Sequence, residues 1–311
     1  MKNCAYCGTD KNFTREHIIP ASLIEFFPEQ DITINSQRVF KDNRGPVISD
    51  VCQDCNNGFL SRLDTEGKNL ISKYFLAKYD ENDEVQIEYN YSMLARWLMK
   101  IAYNGERASK EEVTWFENNL SYILGGKHPA KFSIFAGVYV DMSPFEEGVM
   151  SDYIPLRVTP NPKLLEEGTA KEEQYKKLQG SFLFRFGSAM FLLFLWKDDI
   201  NRELKKQLEL QFIKKFPYSL LTDEGGAKLH RATDPIACME IALIYGYKGR
   251  ILNEAKAKRA LGGRDYKDVR ADVKSEYTED FLKKGRLMNE HLMFPKDRNV
   301  KRELDKFFSK E

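Results

Sequence analysis

Long apolar runs are missing from this chain of 311 residues. The most apolar stretch, Ala189-Met190-Phe191-Leu192-Leu193-Phe194-Leu195-Trp196, falls far short of the roughly 20 residues of a membrane-spanning helix. It reads as a buried strand, and no membrane partner is expected. The opening Met1-Lys2-Asn3-Cys4 has no apolar signal core, so no export is expected. An excess of one charge is also missing: 48 Lys and Arg against 47 Asp and Glu leave a net charge of +1. That argues against a protein that only binds nucleic acid through a global basic surface, while an enzyme needs no more than a local stripe. Residues 245–311 hold 18 basic and 12 acidic side chains, Lys283, Lys284 and Arg286 among them. That surplus reads first as ordinary solvated helix faces. There is no internal repeat and no low-complexity tract. A hydrophobic content of 42% with 31% charged residues excludes long disorder.

Cysteine is scarce too, with five in the chain. Four of them fall into two Cys-x-x-Cys turns, Cys4-Ala5-Tyr6-Cys7 and Cys52-Gln53-Asp54-Cys55, separated by 44 residues. Each turn presents two thiolates to one ion, and two turns complete a tetrahedral Cys4 zinc site. The competing reading, a redox dithiol, explains one pair at a time. The spacer is too long for a two-histidine zinc finger but holds a hairpin and a short helix. The first 80 or so residues carry few large apolar residues on a regular period, so zinc is expected to supply folding energy rather than catalysis. Reduced metal-binding thiols fit a cytoplasmic location. The fifth, Cys238, reads as a buried small hydrophobe.

Between the knuckles lies Arg15-Glu16-His17-Ile18-Ile19-Pro20, a segment of extended character. Neighbouring strand side chains point to opposite faces. A carboxylate is a hard ligand for Mg²⁺ or Mn²⁺. A neutral imidazole is the usual general base near neutral pH. Asn56 follows Cys55 directly and offers a hard amide oxygen, although it equally suits a helix cap. Asn57 and Asp64 stand on the same expected helix as further helpers or as plain solvated residues.

This order of residues resembles the HNH, or His-Me finger, endonucleases. It is most similar to their zinc-stapled Cys4 branch, typified by phage endonuclease VII, and to bacterial stand-alone HNH proteins. The resemblance covers roughly residues 1–70. It implies a ββα-metal head in which Cys4, Cys7, Cys52 and Cys55 hold a structural zinc. Glu16 and Asn56 then ligate a single catalytic Mg²⁺ or Mn²⁺, and His17 activates the attacking water. The implied activity is hydrolysis of DNA phosphodiesters, with double-stranded DNA as the partner. Glutamate stands where the family usually has aspartate or histidine, and Asn56 takes the place of the last histidine of the family's name, which favours Mg²⁺ over a softer ion. By analogy with such fusions, the setting is restriction or phage defence.

The whole chain is thus expected to be α+β, with a head over 1–80 and a mixed helical and antiparallel-sheet body over 81–311. In the body, two helices are expected over 91–124, the second starting at Ser109 and stopping at Gly125-Gly126. An antiparallel sheet is expected over 131–196, with turns at Pro144, Pro160-Asn161-Pro162 and Gly187-Ser188, and helices over 199–311. His128, His230 and His291 sit in unrelated contexts. The body carries no catalytic motif and is open to positioning DNA, forming a homo-oligomer or binding a protein partner. The rival to a nuclease is a non-catalytic zinc module that contacts nucleic acid or protein, to which the Glu16-His17 adjacency and Asn56 are incidental.

Overall fold

The computed structural model describes residues 3–10, 12–26, 33–34, 39–40, 45–77, 79–80, 82–127, 131–139, 156–160, 176–216 and 218–232. Two compact units divide the chain: Met1–Asp31 with Asp42–Ala232, and Ile32–Lys41 with Thr233–Glu311. Of the second unit, the described part is a two-stranded antiparallel pair, β2 (Thr33–Ile34) and β3 (Val39–Phe40). Cys238, His128, His291, Lys283, Lys284, Arg286, the turns at Pro144 and at Asn161-Pro162, and any helix beyond residue 232 lie outside the described residues.

The first unit opens with the Cys4–Cys7 turn, closed by a bond from Gly8 N–H to the Cys4 carbonyl at 2.9 Å. Gly8 has φ +77, a left-handed conformation in which glycine carries no Cβ penalty. Then β1 (Phe13–His17) runs antiparallel to β4 (Val47–Cys52), with Glu16 opposite Ile48 and His17 opposite Val47. The short helix α1 (Ala21–Ile24) lies between them in sequence and starts after Pro20. Past Cys52 the chain turns helical: α2 (Gln53–Cys55), a wide π-helical turn over Asn56–Leu60 kinked at Gly58, and α3 (Ser61–Tyr74). Leu60, Leu63, Leu70 and Ile71 face the core, as the helical spacing from Cys52 onwards predicts.

Strand β5 (Val85–Glu88) leads into α4 (Tyr91–Ser109). Asn90 caps α4 by accepting the Met93 N–H at 3.1 Å, and Lys110 ends it in the left-handed conformation. The second expected helix therefore does not begin at Ser109. It appears as two short pieces, α5 (Thr114–Asn118) and α6 (Leu120–Ile123), stopped at Gly125 with φ +99.

A five-stranded antiparallel sheet follows, in the order β10-β6-β9-β8-β7. Its strands are β6 (Phe132–Val138), β7 (Leu156–Pro160), β8 (Leu178–Phe186), β9 (Ala189–Trp196) and β10 (Ser219–Leu220). Every residue of β6 and β9 is buried, which is why these strands read as continuous apolar runs and not as alternation. One face of β9 presents Phe194, whose ring packs with Phe212 at 5.2 Å. Phe212 belongs to α7 (Arg202–Lys215), the helix after the sheet. The other face presents Phe191, which meets Phe75 after α3 at 5.9 Å. Gly187 makes the β8–β9 turn with φ +60.

After α7 the expected run of helix is broken by strands: β10, and β11 (Gly226–Leu229), which pairs antiparallel with β5. Gly226-Ala227-Lys228-Leu229 alternates over only four residues, and its partner lies about 140 positions earlier in the chain. Its pairing is tertiary rather than local. The described fold is thus mixed helix and antiparallel sheet, an α+β arrangement.

Candidate functional site

The two knuckles meet because β4 carries the second one back to the first. Ala5 N–H bonds to the Asp50 carbonyl at 2.9 Å, and Gln53 N–H to the Asn12 carbonyl at 2.8 Å. The four sulfurs of Cys4, Cys7, Cys52 and Cys55 lie within 4.8 Å of one another. Cys7 and Cys52 Sγ are 3.6 Å apart, close to the edge of about 3.8 Å that tetrahedral Zn–S bonds of about 2.3 Å imply. Backbone donors already serve the sulfurs: Cys52 N–H reaches Cys4 Sγ at 3.3 Å, and Cys55 N–H reaches Cys52 Sγ at 3.5 Å.

Burial opposes a thiolate at Cys4, but backbone N–H groups of Cys52, Cys7 and Tyr6 outweigh it and bring the thiol down to about 7. Burial and the neighbouring thiols push Cys55 well above its ordinary value. Four thiolates this close repel one another, and a divalent cation at their centre lets all four ionise. The donor set therefore fits zinc.

At the helix end of the hairpin, β1 slips register between Thr14 and Glu16. Such a bulge takes the intervening residue out of the ladder. Asn56 answers it: its Nδ2 donates to Thr14 Oγ1 at 2.9 Å and to the Arg15 carbonyl at 3.1 Å. With both amide hydrogens directed at β1, Oδ1 is the atom turned away from those acceptors. Asn56 thus joins the start of the helix to the strand that bears Glu16 and His17.

His17 is half-buried, while Glu16 is 4% exposed. The Glu16 carboxylate faces inward onto Lys100 Nζ, in an ion pair between side chains 6% and 0% exposed. Lys100 also donates to both oxygens of Asp64, at 2.7 and 2.6 Å. Burial raises the Glu16 and Asp64 carboxyls above their ordinary values, against the attraction of Lys100. Removing one partner of such a buried pair typically costs about 3–5 kcal/mol. Two carboxyls share one ammonium, and Asp64, 22% exposed in its side chain, is the more accessible of the two.

Lys100 belongs to a stripe of α4 at helical spacing. Tyr103 Oη donates to the Ala5 carbonyl at 3.1 Å. Asn104 Oδ1 accepts from Tyr6 Oη at 2.8 Å. Arg107 pairs with Asp50 and lies 4.9 Å from the Tyr103 ring centre. These four positions follow the i, i+3, i+4, i+7 pattern of one helix face, and all four reach the cysteine knuckles, β4 or the candidate site.

Of the residues singled out from the sequence, the four cysteines come together, and Asn56 comes to β1. Glu16 comes to Lys100 and Asp64, and it shares no hydrogen bond with Asn56 among the described residues. A hard cation reaching Glu16 therefore shares the carboxylate with an ammonium, whereas Asn56 Oδ1 carries no such competitor. Asn57 is exposed, and His230 is a half-exposed residue 3.6 Å from Glu84. Lys100 was not legible as part of the site. Its one signal is its setting, a lone charge within Leu98-Met99-Lys100-Ile101-Ala102, since a charge on a core stripe requires a buried partner.

No protein-family model matches the chain, and no curated protein or solved structure matches it. Among the described residues no helix is long and apolar enough to cross a membrane.

Proposed function

We propose that the chain is a metal-dependent endonuclease of the HNH type that hydrolyses phosphodiester bonds in double-stranded DNA. One observation carries the reading: Asn56, next to the four-cysteine cluster, bonds to the strand segment that bears Glu16 and His17. A zinc module that only binds a partner has no need of that juxtaposition. In this reading Cys4, Cys7, Cys52 and Cys55 hold a structural zinc, and Asn56 and Glu16 hold a catalytic Mg²⁺ or Mn²⁺. That cation, when bound, supplies charge neutralisation at the scissile phosphate and the leaving oxygen. His17 takes the proton of the attacking water. The reading includes a cytoplasmic setting, which keeps the thiols reduced.

The rival, a non-catalytic zinc module, draws on one specific observation: the Glu16 carboxylate already has a cation in Lys100. The test is nicking of supercoiled plasmid by the zinc-loaded chain. Conversion to open circles with added Mn²⁺ or Mg²⁺, and none without, is expected. Plasmid that stays supercoiled over a range of both ions would favour the rival.

A further inference from the structure

We infer that Lys100, supplied by α4 from outside the ββα segment, is a positioning residue of the candidate nuclease site. One ammonium holds Glu16 of β1 and Asp64 of α3 and so sets the line of the helix relative to the strand that carries His17. The inference rests on the nuclease reading above.

The geometry carries it in three steps. First, the β1–β4 ladder fixes the two strands but not α3, because helix and strand share no backbone ladder. Asn56 fixes the start of the helical segment through Thr14 and Arg15. Core packing of Leu63, Leu70 and Ile71 and of Gly67 against Trp97 holds the body of α3, but none of these contacts reaches the strand that carries His17 through a polar group. Asp64 lies eight residues further on and supplies the second point, through Lys100 to Glu16.

Second, Lys100 has nowhere else to go. It is 0% exposed, and α4 is anchored on both sides of it. Trp97 lies against the backbone of α3 at Gly67, where an added Cβ would meet the indole at 2.1 Å. Asn104 holds Tyr6 of the first knuckle, and Arg107 holds Asp50 of β4. The ammonium is thus presented by a helix that is itself fixed to both halves of the site.

Third, the pair has a consequence for His17 in particular. His17 follows Glu16 directly, so the inward seating of Glu16 on Lys100 determines where its neighbour emerges, since adjacent strand side chains leave on opposite faces. A base displaced by about 1 Å commonly loses on the order of 100-fold in rate.

The experiment compares the zinc-loaded full chain with K100M, which keeps length but not charge, and K100R, which keeps charge. Zinc content and cooperative melting are recorded alongside kcat and KM for metal-dependent plasmid nicking. K100M is expected to keep its zinc and lose about 100-fold or more in kcat, with KM for DNA within about threefold. K100R is expected to fall between the two, about tenfold below the parent.

A K100M kcat within about threefold of the parent would overturn the inference. So would a folded K100R as slow as K100M, which would make the charge irrelevant. If K100M fails to fold, a folded K100R that loses about 100-fold or more in kcat overturns it, because the charge is kept there, and loss of folding in both assigns Lys100 to stability alone. Absence of nicking by the unsubstituted chain is a failure of the nuclease reading instead. The positioning is then read by NMR in whichever variant keeps its fold: the His17 Cε1–Hε1 signal is expected to shift while that of His230 stays put. An unmoved His17 signal, or loss of folding in both variants, would overturn it.

Discussion

Trp97 of α4 lies across Gly67 of α3 so closely that a Cβ at residue 67 would fall 2.1 Å from the indole Cε2. Helix propensity alone favours alanine over glycine at mid-helix by about 1 kcal/mol. The packing reverses the sign. The indole is fully buried and wedged on its other side by Phe186 at 5.1 Å, so it cannot step aside. G67A is expected to destabilise the chain by at least the about 1–3 kcal/mol typical of overpacking. Chemical denaturation of parent and variant measures it; an unchanged or raised midpoint would show that the two helices separate more easily than this contact implies.

The thiol cluster predicts one zinc per chain by metal analysis. C52S and C55S each remove one sulfur of the four-cysteine cluster. Because Tyr6 and Ala5 of the first knuckle are bonded to α4, loss of zinc is expected to lower the melting temperature of the whole first unit. Zinc-free protein with an unchanged melt would remove the staple from the account.

Glu106 of α4 gives a pH test that does not touch the site. Burial, with repulsion from Glu111 added, raises its carboxyl from 4.5 to about 7. A carboxyl raised in the folded state contributes stability that is fully present below its unfolded value. That contribution is lost as pH rises through the folded value. Stability should therefore decline between pH 4.5 and about 7 by this group's share. E106Q should flatten that slope and gain most above pH 7. Parallel melting curves for parent and E106Q across pH 5 to 8 would place the ionisation elsewhere.

The strands β6, β8 and β9 were readable because each is a stretch of strand length rich in Phe or Leu. The cysteine pairs were readable because two residues at fixed spacing carry the whole signal. The partner of Glu16 was not. Lys100 stands 84 positions away on a helix whose other residues read simply as core, and nothing local says which charge it meets. The short strands β10 and β11 escaped for the same reason, since their partners β6 and β5 are distant in sequence. Glu16 read as a ligand for a divalent cation, and its burial was not legible because carboxylates are seldom buried; the exception here required the cation from α4.

That dependence predicts how a fragment behaves. Residues 1–80 lack α4, and with it the cation of Glu16 and Asp64 and the indole that lies against Gly67. The sequence alone suggests a weak but active nuclease from this piece. Without α4 on its inner face, the fragment is instead expected to give a collapsed amide NMR spectrum even with zinc. A fragment of residues 1–232 should be well dispersed. Dispersed, native-like signals from 1–80 would show that the segment folds by itself.

The most direct test of the central claim is the rate of plasmid nicking by His17→Ala in the zinc-loaded full chain, with Mn²⁺ present. The proposed mechanism predicts that this variant keeps its zinc and its melt and nicks about 10²–10⁴-fold more slowly than the parent, the usual range for loss of a general base. Nicking at the parental rate would contradict it, because no proton would then be passing through His17.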